Sequence, residues 1–188
     1  MIHYITGGER SGKSSFAQHL AEKISESPYY LATARVLDIS FAERVERHID
    51  DRVQSKRQWT TIEADLKLTD ALQPHFNHQI LDSEQSFKSP TIVVDCVTLW
   101  LTNYVMDYDY AIDKCLILAK QEIDELVTFA NQYNATVFII SNEIGMSLHA
   151  STPEGRKFVS LQGWVNQYLA HLADKATLVV SGLPVTLK

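Results

Sequence analysis

Gly7-Gly8-Glu9-Arg10-Ser11-Gly12-Lys13-Ser14 is the stretch that decides the fold. It fits the pattern G-x-x-x-x-G-K-[ST] at every position. Glycines let the backbone turn so that successive N–H groups point at phosphate oxygens. A helix starting near Lys13 adds its positive dipole end at the same point. Lys13 then reaches the β- and γ-phosphates as a point charge, and the Ser14 hydroxyl binds Mg²⁺. From average residue usage, a chance match in a chain this size has a probability of roughly 0.01. The flanks agree with the motif, since an apolar strand, Ile2–Thr6, precedes it and an amphipathic helix, Lys13–Ser25, follows. Only seven glycines occur in 188 residues, and three of them fall at positions 7, 8 and 12. A glycine-rich turn without a ligand does not account for that concentration.

Outward from the loop, short apolar runs alternate with longer amphipathic ones. This is the pattern of an α/β, P-loop NTPase-like three-layer fold with a mainly parallel central sheet. Further strands are expected at Tyr29–Ala32, Thr91–Cys96, Thr136–Ser141 and Thr177–Ser181, with a last one near Val185–Leu187. Val93, Val94, Val137, Ile139, Ile140, Val179 and Val180 make the continuous β-branched runs of strands covered on both faces. Helices are expected at Ser40–Ser55, Asp109–Tyr133 and Gly155–Ala173, and the polar stretch His75–Pro90 reads as a surface loop.

A length of 188 residues with 45% hydrophobic content suits one domain, residues 1–188, with a single core. A net charge of −6 argues against broad binding to nucleic acid or acidic membranes, which needs a basic face. Cys96 and Cys115 lack metal or redox spacing and read as small core residues. No apolar run reaches the roughly 20 residues of a membrane span, and the N-terminus lacks the order of a secretory signal, so a cytoplasmic location is expected.

A phosphate cradle with Mg²⁺ calls for an acid near the metal. Asp95 closes the run Thr91-Ile92-Val93-Val94-Asp95 and looks like the second acidic strand of P-loop proteins, although a capping aspartate would stand in the same place. Arg44, His48 and Arg52 lie four apart and form one ladder on a helix, rotated about 100° from the apolar stripe Phe41, Val45, Ile49 and Val53. Flanking cations disfavour imidazolium, so His48 tends to stay neutral and nucleophilic near pH 7, while the arginines can hold phosphate. Spacing alone equally describes a surface helix whose arginines pair with Asp50 and Asp51. His3, His19, His75, His78, His149 and His171 are scattered without ligand spacing.

Several stretches taken in order carry a resemblance: Ile5 through Ser14, Tyr30-Leu31-Ala32-Thr33-Ala34-Arg35, Arg44-Val45-Glu46-Arg47-His48, Trp59-Thr60-Thr61-Ile62-Glu63, Ser141-Asn142-Glu143-Ile144-Gly145-Met146, and Val179-Val180-Ser181-Gly182-Leu183-Pro184. Together they resemble the bifunctional adenosylcobinamide kinase/adenosylcobinamide-phosphate guanylyltransferase family of cobalamin biosynthesis, over nearly the whole chain. The resemblance implies phosphorylation of adenosylcobinamide by ATP or GTP. It also implies transfer of GMP from GTP to the resulting phosphate, giving adenosylcobinamide-GDP and pyrophosphate. In the family a histidine is guanylylated on the way, and His48 stands at its position. The resemblance further implies nucleotide contacts at Gly7, Gly8, Glu9, Arg10, Ser11, Gly12, Lys13, Ser14, Thr33, Ala34, Arg35, Ile49, Asp50, Asp51, Arg52, Glu63 and Asp95, and a homotrimer. The path Gln54-Ser55-Lys56-Arg57-Gln58 before Trp59 is about three residues longer than the family's, which leaves Arg52 and Arg57 as alternatives for one arginine position.

Two other readings compete. A monofunctional P-loop kinase acting on another small hydroxyl would leave His48 a surface residue. A nucleotide-dependent switch is disfavoured because no Asn-Lys-x-Asp guanine motif occurs.

Overall fold

The computed structural model describes residues 1–35, 55, 57–76 and 89–188. The expected helix at Ser40–Ser55 lies outside the described residues apart from Ser55, as does most of the expected loop. Seven strands form one sheet: β1 (Ile2–Thr6), β2 (Tyr29–Ala32), β3 (Thr60–Glu63), β4 (Thr91–Asp95), β5 (Thr136–Ile140), β6 (Lys175–Val180) and β7 (Leu183–Thr186). Their order is β3-β2-β4-β5-β1-β6-β7, with every pairing parallel except β6 with β7. The described helices are α1 (Lys13–Ile24), α2 (Leu68–Phe76), α3 (Val97–Asp107), α4 (Ile112–Gln132) and α5 (Pro153–Leu172). The α/β reading with a mainly parallel sheet therefore holds.

Strand alternation divides the core into two. Tyr4, Leu31, Ile92, Val94, Val137 and Ile139 point to the face covered by α2, α3, α4 and α5. Ile5, Tyr30, Val93, Phe138 and Ile140 point to the opposite face, where Ala17 and Ala21 of α1 pack. Small residues on α1 let it lie close to the sheet and carry the loop before it onto the strand ends. Cys96 and Cys115 are both buried, as expected of small core residues. No helix among the described residues is long and apolar enough to cross a membrane.

Three elements escape a pattern-based reading. β3 buries only Ile62 of its four residues, so it shows neither an apolar run nor a clear alternation. In α3, Val97, Trp100, Leu101, Asn103, Tyr104 and Val105 are all buried, so the polar half of a helical pattern is weak. α2 is nine residues long with Pro74 inside, which removes a backbone bond from its last turn. The polar loop expected from His75 begins too early, because His75 and Phe76 still belong to α2. The helix expected from Asp109 starts at Ile112, since Asp109 and Tyr110 take left-handed φ of 45° and 55°. β7 runs from Leu183 to Thr186, two residues ahead of its expected start.

Phe76 anchors α2. Its fully buried ring lies 4.8 Å from Tyr29, 5.3 Å from Phe129 and 5.6 Å from Tyr133, centroid to centroid. A Phe76→Ala substitution should lower unfolding free energy by about 3–5 kcal/mol, read from urea midpoints at constant slope. A loss below about 1 kcal/mol would mean that α2 contributes little to the core.

Candidate active site

The turn after β1 is wound by alternating backbone signs. Gly7, Arg10 and Gly12 have φ of 154°, 54° and 96°. Such alternation turns successive N–H groups inward and builds an anion-binding concavity. α1 begins at Lys13, so its unpaired N–H groups and positive dipole end close the same cup. Lys13 is buried, and its ammonium donates to the Gly8 carbonyl at 2.6 Å. The Ser11 hydroxyl is buried with no hydrogen-bond partner among the described residues. A buried donor left in this state at the cup is what a phosphate oxygen would satisfy.

Two neighbouring strands brace the cradle. A Cβ on Gly7 would lie 2.3 Å from the Val179 carbonyl oxygen of β6, so only glycine fits. The Gly182 N–H, in the turn between β6 and β7, donates to the Ser11 carbonyl at 2.9 Å. On the other side the Glu143 N–H, in the loop after β5, donates to the Gly7 carbonyl at 3.0 Å. These braces were not read from the sequence; the bonds are between backbone groups, and only the glycines at 7 and 182 carry a residue-type signal.

Among the described residues, the remaining expected contacts lie along the C-terminal edge of the parallel strands. Register pairs Glu63 with Ala32, Ala32 with Asp95, and Asp95 with Ile140, which places these residues at one level. Asp95 is two strand spacings from β1, about 10 Å, and Glu63 four, about 19 Å. The Tyr30 hydroxyl donates to Asp95 Oδ2 at 2.8 Å. A carboxylate has about four acceptor sites, so capacity remains for metal-bound water. Ser14 and Asp95 offer oxygen donors alone, the set that suits a hard cation such as Mg²⁺.

Thr33 is fully buried. Its hydroxyl donates to the Cys96 carbonyl at 2.8 Å, and its own carbonyl accepts from Asn103 Nδ2 at 2.9 Å. Thr33 thus ties the end of β2 to β4 and α3. The Arg35 guanidinium is held by two carboxylates, with bonds of 2.8 and 2.6 Å to Asp65 and 2.6 and 2.8 Å to Asp107. Those bonds, Asp107 first, raise the arginine pKa further, and Arg35 holds the Asp107 carboxyl below its usual range. Ala34 is half-buried between Thr33 and Arg35, and Glu63 is exposed. His48, Ile49, Asp50, Asp51 and Arg52 lie outside the described residues. Arg57, the alternative to Arg52, forms an ion pair with Glu26 of the turn after α1.

A cup of backbone donors at the head of a helix, with a strand-end acid two strands away, is built for nucleoside triphosphates. It is the architecture of the P-loop nucleotide-utilising enzymes. Over residues 3–187 the sequence matches the cobinamide kinase / cobinamide phosphate guanyltransferase family. It is 32% identical to the bifunctional adenosylcobalamin biosynthesis protein CobU of Escherichia coli K12, with all of both chains covered. It is 30% identical to the protein of the same description, CobP, of Pseudomonas aeruginosa, covering all of this chain and 98% of that one. The CobU protein of Salmonella typhimurium is likewise 32% identical over the whole of both chains. The chain belongs to the cobinamide kinase / cobinamide phosphate guanyltransferase family, enzymes with two activities in cobalamin biosynthesis.

The glycines separate by their surroundings. Gly7→Ala should lose about 1–3 kcal/mol of stability together with nucleotide binding. Gly8→Ala, whose Cβ would meet nothing within 4 Å, should stay within about 0.5 kcal/mol of the parent. Thermal unfolding of the two variants side by side checks this, and equal melting temperatures would contradict the close contact at Val179.

Proposed function

We propose that one domain, residues 1–188, carries out both reactions of the family at the cradle. In the first, ATP or GTP phosphorylates the hydroxyl on the aminopropanol arm of adenosylcobinamide. In the second, GTP guanylylates His48, and GMP passes from the imidazole to adenosylcobinamide phosphate, giving adenosylcobinamide-GDP and pyrophosphate. The observation that carries this reading is the glycine-wound cup at the head of α1, with Lys13 buried inside it.

Bound triphosphate draws the Lys13 ammonium from the Gly8 carbonyl onto phosphate oxygens, exchanging a neutral acceptor for a charged one. Ser14 and Asp95 would hold Mg²⁺, which supplies charge neutralisation for the β- and γ-phosphate oxygens. A neutral imidazole attacks the α-phosphorus, and pyrophosphate leaves against Lys13 and arginine. A P–N bond is reactive enough to hand GMP to a weak phosphate nucleophile, splitting one hard step into two. The spread of strand-end residues from the cradle towards Glu63 suits a nucleotide lying along the sheet edge, with Thr33, Ala34, Arg35, Ile49 to Arg52 and Glu63 as its further contacts. We further propose a cytoplasmic homotrimer, as the family resemblance implies.

Incubation with α-labelled GTP and Mg²⁺, followed by denaturation, should leave acid-labile label on His48 and release pyrophosphate. His48→Ala should lose guanylyl transfer by about 10³-fold or more yet keep phosphorylation of adenosylcobinamide. Lys13→Ala should damage both steps. Wild-type protein that takes up no label during turnover would leave only the kinase.

A further inference from the structure

The kinase step must dispose of one proton, that of the acceptor hydroxyl, and the group that takes it has to reach the γ-phosphate side of the cradle. β5 lies between β1, which feeds the cradle, and β4, which ends at Asp95. The loop after β5 therefore emerges between the phosphate cup and the strand-end acid. Its first residues are Ser141, Asn142 and Glu143.

This loop root is held firmly. The Ser141 N–H donates to the Ile5 carbonyl at 2.9 Å, and the Glu143 N–H to the Gly7 carbonyl at 3.0 Å, so the ladder between β1 and β5 continues into the cradle. Beneath it, Ser141, Gln162 and Asn166 form a buried hydrogen-bonded group. The Ser141 hydroxyl donates to Asn166 Oδ1 at 2.6 Å, and Asn166 Nδ2 to the Asn142 carbonyl at 3.0 Å. The Glu143 carboxylate is half-buried and oriented by the Gly145 N–H, which donates to Oε1 at 3.0 Å. Its charge is felt inside the sheet. Burial chiefly pushes the Tyr4 hydroxyl up to about 12, and Glu143 adds to the effect. Asp95, the other strand-end acid here, is engaged by Tyr30 and stands one strand further from the cradle.

We propose that Glu143 is the catalytic base of the kinase step. Its carboxylate takes the hydroxyl proton as the hydroxyl oxygen bonds to the γ-phosphorus. The bond from that phosphorus to the β,γ-bridging oxygen breaks, and the nucleoside diphosphate leaves with the electron pair. The assignment rests on the bifunctional reading above and names the group that acts on its acceptor.

Glu143→Gln tests it cleanly, because the amide oxygen still accepts from Gly145 and the fold is kept. With adenosylcobinamide and γ-labelled ATP or GTP, kcat for phosphate transfer should fall about 10²–10⁴-fold, while KM for the nucleotide changes less than about threefold. Label uptake from α-labelled GTP should persist in the same preparation, and Glu143→Asp should recover part of the lost rate. A Gln variant that phosphorylates within about threefold of an active wild type overturns the assignment alone. Parallel loss of both activities in a folded variant also overturns it, since Glu143 would then serve only to shape the cradle. A wild-type chain unable to phosphorylate adenosylcobinamide overturns both this assignment and the functional reading beneath it.

Discussion

The close approach of two backbones governs this molecule. The Val179 carbonyl lies where any side chain on residue 7 would begin. That contact presses the end of β6 against the first residue of the phosphate cup. Bonds from Gly182 to Ser11 and from Glu143 to Gly7 fix the cup from both sides. Donors aimed at a polyanion act at full strength only if their directions are set before it arrives. β1 sits between β5 and β6 for that reason in physical terms, since both neighbours send loops that hold the cup open.

Much of this was legible in the sequence because the chemistry is local. The cradle needs glycines at fixed offsets, and buried parallel strands need continuous β-branched runs, so β1, β2, β4 and β5 could be placed closely. Asp95 was legible as an acid at the end of such a run. What stayed hidden was either too short, too uniformly apolar or carried by backbone. β3 has one buried residue, α3 buries most of its surface, and α2 contains Pro74. The braces on the cradle have almost no residue-type signature. Glu143 stood within a recognisable stretch, but its bond to Gly7 depends on β5 pairing with β1, a contact 136 residues away in the chain that no local pattern encodes.

Thr33 and Arg35 illustrate how a contact inferred from likeness acquires a second meaning in three dimensions. Their side chains face the protein: one stitches β2 to β4, the other bridges Asp65 and Asp107. Such a half-exposed ion pair adds little stability by itself. Its geometry matters more, because it fixes the chain at residue 35. Downstream, the Ser55 hydroxyl and the Trp59 indole both donate to Glu22 of α1, at 2.5 and 3.0 Å. Both ends of the stretch that contains His48 are thus fastened, one at the sheet edge and one on α1.

The two proposed reactions ask opposite things of one triphosphate. A hydroxyl must reach its terminal phosphorus with a base behind it, and an imidazole must reach the inner one with pyrophosphate free to leave. One side chain placed for the first attack is badly placed for the second. On the proposed assignments the two groups are drawn from different connections. The carboxylate comes from the loop between β5 and α5, pinned to the cradle itself, whereas the imidazole comes from the connection between β2 and β3, rooted three strand spacings away. In this proposal Lys13 serves both, because each attack adds negative charge to the β-phosphate of the leaving group. A single cradle can therefore serve two chemistries only if its two nucleophile-handling elements are independent, and the selective effects expected of His48 and Glu143 substitutions would then be a consequence of the topology.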